Sequence, residues 1–442
     1  MNRQLDDSPL GALGLRQHPQ RIILDREFHA RPFERVSTPQ RISHLALRAG
    51  PGQDALARDR EHIARLCARF ALPLPEPGAV HLSVDCGPFR LKWERHAEFS
   101  TYSFMTVPDP AQPLFADMPI ARVPRDWLAG LAGELLVATH LCLCLETELP
   151  VADVGAVRGL FANSDLSGSR CADEAATVWS DFRMQADGFT RILVLDRGLR
   201  ATQAGRLVQR LLNIETYRLM AMLAFPLARQ ADVEITRIEA RLADLIGSMR
   251  QDAGLEQNRA LLSELSILAA EIERMTTLTL YRFGAGRAYH ALVERRISEL
   301  REGRMSGVQT LREFTERRLA PAMRTVESVR ERQDLLAARI ARAAHLLRTR
   351  VDVALEHQNR DLLHSMNQRA QLQLRLQETV EGLSVVVLSY YLVGLLSYAV
   401  KALAKLGLPL NPDLATGLAI PLVLAGVGLG MQRLRRHVMH GD

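Results

Sequence analysis

Two uncharged runs near the C-terminus constrain this chain more than any other feature. Leu383 to Val400 reads LSVVVLSYYLVGLLSYAV, and Leu414 to Met431 reads LATGLAIPLVLAGVGLGM, with no charged side chain in either. A helix needs roughly 20 apolar residues to cross a ~30 Å hydrocarbon core. Both runs come close to that length, and Val380 and Ala402 extend the first. Such a pair forms either a buried hairpin in a soluble core or a transmembrane hairpin. The tyrosines, the glycines and the absence of charge predict the second, with the hairpin over 380–432 and a basic tail over 433–442. The lipid bilayer is then the first expected partner.

Charge sets the expected orientation. Arg433, Arg435, Arg436 and His437 follow the second run directly, and basic residues beside a span favour the cytoplasm. Lys401 and Lys405 in the connection argue weakly the other way. The first residues, MNRQLDDSPLGALGL, lack a basic stretch followed by an apolar one, which is the pattern of an export signal. The expectation is a multi-pass protein of a cytoplasmic membrane with both termini cytoplasmic.

Within the spans, Val387, Tyr390, Gly394 and Ser397 fall on one helical face, and Gly426 and Gly430 make a G-x-x-x-G spacing. Small and hydroxyl residues let helix backbones approach where lipid provides no hydrophobic drive. Tyr390, Gly394, Ser397, Gly426 and Gly430 are therefore the expected helix-packing residues. A pore lining is the other use of such a face.

Upstream, no proline stands between Pro321 and Pro409. Leu336, Ile340, Ala343, Leu347, Val351 and Ala354 recur every three or four residues, as do Ile235, Ile238, Leu242, Leu245 and Met249, and again Leu261, Leu265, Leu268, Ile272 and Met275. These are heptad-like seams. They predict a stalk over 199–379 that is all-α, antiparallel or coiled-coil. Its helices are expected at 199–252, 256–304 and 307–404, the last running into the first span. Gly254 and the pair Gly303/Gly307 mark the reversals, and Pro226 predicts a kink. An intramolecular bundle satisfies the upstream seams as well as a homo-oligomer does. Nearest the membrane, beyond the reach of the shorter arms, a homo-oligomer is expected.

Residues 20–198 predict an α+β head. Strands are expected at Ile42–Ala49, Val80–Asp85, Phe89–Arg95, Glu98–Val107, Glu134–Glu146, Thr177–Met184 and Phe189–Leu195, with Asp187-Gly188 as a hairpin turn. Gln53–Phe70 reads as a helix with Leu56, Ile63, Leu66 and Phe70 on one face. Trp93, Phe99, Tyr102 and Phe104 are expected to pack the sheet.

Candidate chemistry lies in DREFHARPFER, with Asp25, Glu27, His29 and Arg31, in His44, and in WERHAEF, with Glu94, Arg95, His96 and Glu98. Carboxylates beside histidines suit a metal or acid–base work, which makes His29, His44, His96 and Glu98 the metal or catalytic candidates. Salt bridges and hydrogen bonds are the competing use. The chain lacks H-x-x-x-H, H-E-x-x-H, C-x-x-C, G-x-S-x-G and Walker spacings, and Gly284-Ala285-Gly286 lies inside a helical pattern. No cofactor is predicted. Cys142 and Cys144 share one strand face and read as buried filler. Five cysteines, an odd number, do not form a secreted disulfide scaffold. A net charge of +6 with acidic residues interspersed gives no reason to expect nucleic acid.

HPQRIILDREFHARPFE (His18–Glu34), RISHLAL (Arg41–Leu47), WERHAEFSTYSF (Trp93–Phe104) and VWSDFRMQADGFTRILV (Val178–Val194) resemble a bacterial family known as domain of unknown function 3422, whose members are membrane-anchored. The resemblance implies a bacterial inner membrane and brings no functional residues. In layout alone, a cytoplasmic head, a long helix entering the first span, a short loop, a second span and a basic tail are similar to magnesium channels of the CorA class. Their Gly-Met-Asn signature follows the first span, where this chain reads KALAKLGLPLNPDL. Three readings result. The first is a membrane-anchored homo-oligomer whose head binds an unknown protein or ion ligand. The others are a divergent divalent-cation transporter and a membrane-tethered enzyme using the His/Glu clusters.

Overall fold

The computed structural model describes residues 18–21, 24–25, 28, 33–50, 52–76, 78–109, 111–148, 154–161, 165–249, 254–405 and 412–438. The chain falls into two compact units, Met1–Ser248 with Glu264–Arg342, and Met249–Ser263 with Ala343–Asp442.

The first unit is organised by one mixed eight-stranded sheet. Its strands are β1 (Gln40–Arg48), β2 (His81–Asp85), β3 (Arg90–Arg95), β4 (Phe99–Thr106), β5 (Glu134–Leu145), β6 (Ser167–Cys171), β7 (Ala176–Met184) and β8 (Thr190–Asp196), in the order β2-β3-β4-β1-β5-β8-β7-β6. Every neighbouring pair is antiparallel except β5–β8. The seven expected strands all form within a residue or two of the expected places. β6 was not among them, because Ser-Gly-Ser-Arg-Cys contains no β-branched or aromatic residue to mark a strand.

One face of the sheet is apolar. Leu45, Leu47, Leu91, Trp93, Tyr102 and Phe104 pack against Ile63, Leu66 and Cys67 of α1 (Gln53–Arg69) and Trp127 of α2 (Arg125–Ala129). Further along the same sheet, Cys142, Cys144, Trp179, Leu193 and Leu195 pack with Val157 of α3 (Val154–Arg158). The two cysteines are therefore core residues, and burial pushes the Cys144 thiol up to about 12. The opposite face is covered by α4 (Ala201–Met222), which contributes Leu207, Leu211, Leu212 and Ile214 to the interior.

The helices that follow differ from the expected three. The first is two: α4 ends at Met222 and α5 (Ala224–Gly247) begins after Leu223. Pro226 sits in the first turn of α5, where its missing N–H costs nothing, so the chain breaks before the proline instead of kinking at it. The next helix, α6 (Leu255–Glu299), stops short of residue 304. Residues 300–310 run instead beside the outer strand: Gly303 and Arg170 exchange backbone hydrogen bonds at 2.7 and 3.1 Å, and Gly168 N–H donates to the Gln309 carbonyl at 3.0 Å. This pairing covers an edge that would otherwise be open to other chains.

α7 (Leu311–Lys405) starts at a capping box. Glu313 N–H donates to the Thr310 hydroxyl at 3.1 Å, and Thr310 N–H donates to the Glu313 carboxylate at 3.0 Å. Pro321 lies inside this helix. In the first unit, Ile235, Ile238, Leu242, Leu265, Leu268, Ile272, Leu336 and Ile340 are buried. Arginines tie the helices outside that seam: Arg241 pairs with Glu264 and Glu271 at 3.1 and 3.0 Å, and Arg332 with Glu239 at 2.6 Å. Gly286 of the Gly-Ala-Gly run is a helix-crossing residue. A Cβ there would lie 2.8 Å from that of Ala224.

In the second unit, Leu261, Leu347 and Val351 are buried, whereas α7 is exposed throughout 356–380. Among the described residues, two helices are long and apolar enough to cross a membrane, the far end of α7 and α8 (Pro412–Val438).

Candidate functional site

Strand alternation places Leu91 and Trp93 in the apolar core and turns Lys92 and Glu94 toward α4. These two side chains are buried and paired at 3.1 Å. Gln209 of α4 completes the arrangement: its amide oxygen accepts from Lys92 Nζ at 2.6 Å, while its NH₂ donates to Glu94 at 3.3 Å and to Asn213 at 3.2 Å. Such pairing is what a buried charge requires.

His44 lies on the same face of β1. It is buried, with Nδ1 2.8 Å from the Ser103 hydroxyl and Nε2 3.1 Å from the Thr216 hydroxyl. Burial, assisted by the Lys92 charge, pushes its pKa down to about 3. A neutral imidazole with both nitrogens engaged is a structural link between sheet and helix. Glu98 is elsewhere, buried before β4, where Arg282 of α6 donates to both carboxylate oxygens at 3.0 and 2.5 Å and Arg48 lies at 3.6 Å. Burial would push its carboxyl up, but the pairing with Arg282 outweighs that and holds it below the ordinary range. His96 stacks on Phe99 with ring centroids 4.3 Å apart. His29 lies outside the described residues. The structure therefore does not bring His44 and Glu98 into one pocket, and among the described residues no group of three His, Cys, Asp or Glu side chains is disposed to hold a metal ion.

His96 faces a cavity that Glu94 also lines. It has a volume of about 540 Å³, within the range of small-molecule sites, and is lined by Phe28, Phe33, Glu94, His96, five residues of α4, and Arg296 and Glu299 at the end of α6. The α4 residues are Arg206, Gln209, Arg210, Asn213 and Tyr217. Glu299 accepts from Arg210 at 3.2 Å, Arg295 at 3.2 Å and Arg296 at 2.8 Å. Burial raises its carboxyl, yet these arginines, Arg296 foremost, hold it below the ordinary carboxylate range. Arg206 has no carboxylate partner among the described residues; its guanidinium lies over the Phe33 ring, 5.3 Å from the centroid. The segment carrying Phe33 is held down by Val36 N–H donating to the Ala201 carbonyl at 3.2 Å, and by the 3.3 Å ion pair of Glu34 with Arg90.

The cavity arginines were not among the sequence candidates, although α4 carried a signal. Arg206, Gln209, Arg210, Asn213 and Tyr217 follow the helical period as one polar stripe, on a helix whose Leu207, Val208, Leu211, Leu212 and Ile214 are buried. A polar stripe beside a strand with inward Lys92 and Glu94 marks a polar seam between helix and sheet.

In the second unit, Gly426 lines a groove with Leu392, Leu396, Ala419, Leu422, Val423 and Val427, between the ends of α7 and α8. Ser397 and Gly394 are partly buried, and Tyr390 is exposed. A Cβ built at Gly394, Gly426 or Gly430 would meet nothing within 4 Å.

A mixed α/β sheet unit with a ligand-sized cavity, followed in the chain by a helical region that ends in two apolar helices, defines the class of protein. The chain belongs to the family described as "Protein of unknown function (DUF3422)", which it matches over residues 16–438. No curated protein and no solved structure matches it.

Proposed function

We propose that this chain is a membrane-anchored homo-oligomer of the bacterial inner membrane whose α+β head is a cytoplasmic binding or sensing domain. The observation that carries the reading is the surface of the two apolar helices. Leu383, Val386, Leu395, Leu414, Leu418 and Leu422 are all exposed, and Tyr390 is 77% exposed. Contiguous apolar surface on that scale is not left to water, and hydrocarbon is the solvent that accepts helices whose backbone groups are internally bonded. The hairpin over 380–432 then holds head and basic tail on the same, cytoplasmic side. Tyr390, Gly394, Ser397, Gly426 and Gly430, with open space at their glycines, serve as contact faces between copies within the bilayer.

Alkaline carbonate extraction of membranes tests the anchor. The full chain is expected in the pellet, with the head digested by protease only in inverted vesicles. Release into the supernatant would overturn the anchor.

A further inference from the structure

We propose that the cavity between α4, the end of β3 and the end of α6 binds a small phosphate monoester carried on a flat ring. This names the ligand class for the head and so rests on reading the head as a binding domain.

The charge balance of the cavity asks for an anion. Three arginines, Arg206, Arg210 and Arg296, line it against two carboxylates, Glu94 and Glu299. Glu94 is already matched by the buried Lys92 at 3.1 Å. Glu299 is shared by Arg210, Arg296 and, from outside the lining, Arg295. Among the described residues, Arg206 meets an aromatic ring and no carboxylate. The described lining carries one excess positive charge and the buried Lys92 behind it a second, together close to the −1.5 to −2 of a phosphate monoester at neutral pH. Guanidinium groups held part-way out of water are suited to phosphate, because their forked donors match its oxygens and they shed hydration more readily than ammonium. Glu299 fixes Arg210 and Arg296 in place before any ligand arrives, which lowers the ordering cost of binding.

The remaining lining suits a ring. Phe33, His96 and Tyr217 contribute flat aromatic surface, and the Asn213 amide, held by Gln209 at 3.2 Å, presents its NH₂ donors beside it. A phosphate alone would leave most of the 540 Å³ unfilled, and a neutral ring alone would leave the arginines unmatched.

Equilibrium dialysis of the full chain in detergent micelles, with AMP, adenosine and inorganic phosphate as probes, tests this. AMP is expected to bind saturably, one per chain, at least about tenfold more tightly than adenosine or phosphate. Arg206→Gln is expected to weaken AMP about tenfold or more with an unchanged melting temperature, since Arg206 pairs with no carboxylate among the described residues. Arg183→Gln, on the exposed end of β7, should bind as the parent does. The proposal is overturned if AMP binds no better than adenosine or phosphate, if R206Q matches the parent, or if no probe saturates at concentrations on the order of 10 mM. Failure here leaves carbonate-resistant membrane attachment untouched, and loss of the anchor leaves AMP binding untouched.

Discussion

Arg282 donates two hydrogen bonds, 3.0 and 2.5 Å long, to the buried carboxylate of Glu98, so a helix residue and a strand-flanking residue 184 positions apart form one ion pair. Nothing near Glu98 in sequence announces that partner. Arg282→Ala leaves a buried carboxylate without its main counter-charge, and a loss of about 3–5 kcal/mol of stability is expected, read from denaturant unfolding. The double variant R282L/E98L should recover much of it. A single variant as stable as the parent would mean that the pair is solvated.

Acid should weaken the same contact. The folded-state pKa of Glu98 lies below its unfolded value. Its contribution is therefore complete above the unfolded value near pH 4.3 and is lost as pH falls through the depressed folded value. Denaturant midpoints between pH 6 and 3 should fall more steeply for the parent than for R282L/E98L.

His44 acts at a higher pH and by the opposite chemistry. It is held neutral, with a pKa near 3, so the unfolded chain takes up a proton that the fold refuses. Stability should drop as pH falls below about 6.5, by roughly 2 kcal/mol at pH 5 from this residue. His44→Gln should flatten the slope between pH 7 and 5. An unchanged slope would show that His44 is not the group responsible.

Gly205 of α4 is demanded by a close approach. A Cβ there would sit 1.7 Å from the Glu34 carbonyl oxygen, a backbone atom that cannot turn aside. Gly205→Ala, although alanine favours helix, is expected to destabilise by about 1–3 kcal/mol and to lift Phe33 from its place over Arg206. Thermal unfolding checks the first effect. Loss of AMP binding in a variant that stays folded checks the second.

A single arginine in the middle of either span should impair anchoring. Val387→Arg or Leu422→Arg costs about 2.5–3.5 kcal/mol on the insertion scale. The fraction resistant to carbonate is expected to fall for both, whereas Leu74→Arg, exposed on the head, should not change it.

Leu362, Leu372 and Leu376 are exposed on the part of α7 that no other described residue covers. Replacing all three with glutamine should lower the oligomeric state measured by light scattering in detergent. Retention of the parent's mass would place the contact elsewhere.

How much of this could be read in advance differs by element, for physical reasons. β3, with Leu91 and Trp93 alternating with charged residues, and β8, with the apolar run Ile192 to Leu195, declare themselves, because such patterns are written along the chain. β6 does not, since its pairing with β7 and with residues 300–310 comes from neighbours and not from its own composition. The break before Pro226 depends on where a proline sits in a turn, which the residue alone leaves open. His96 was singled out for its carboxylate neighbours, yet it belongs with arginines more than a hundred residues later in the chain.

The uncharged runs, the alternation of the strands and the seams at 235–249, 261–275 and 336–354 follow from amino-acid order by itself, because solvent exclusion acts on local patterns of polarity. The pairing of Glu98 with Arg282, the enclosure of His44 by Ser103 and Thr216, and the gathering of Arg206, Arg210 and Arg296 around one cavity were decided only when distant segments packed. A charge's partner is set by distance in space, and the chain brings those positions together only through the eight-stranded sheet and the helices packed on it.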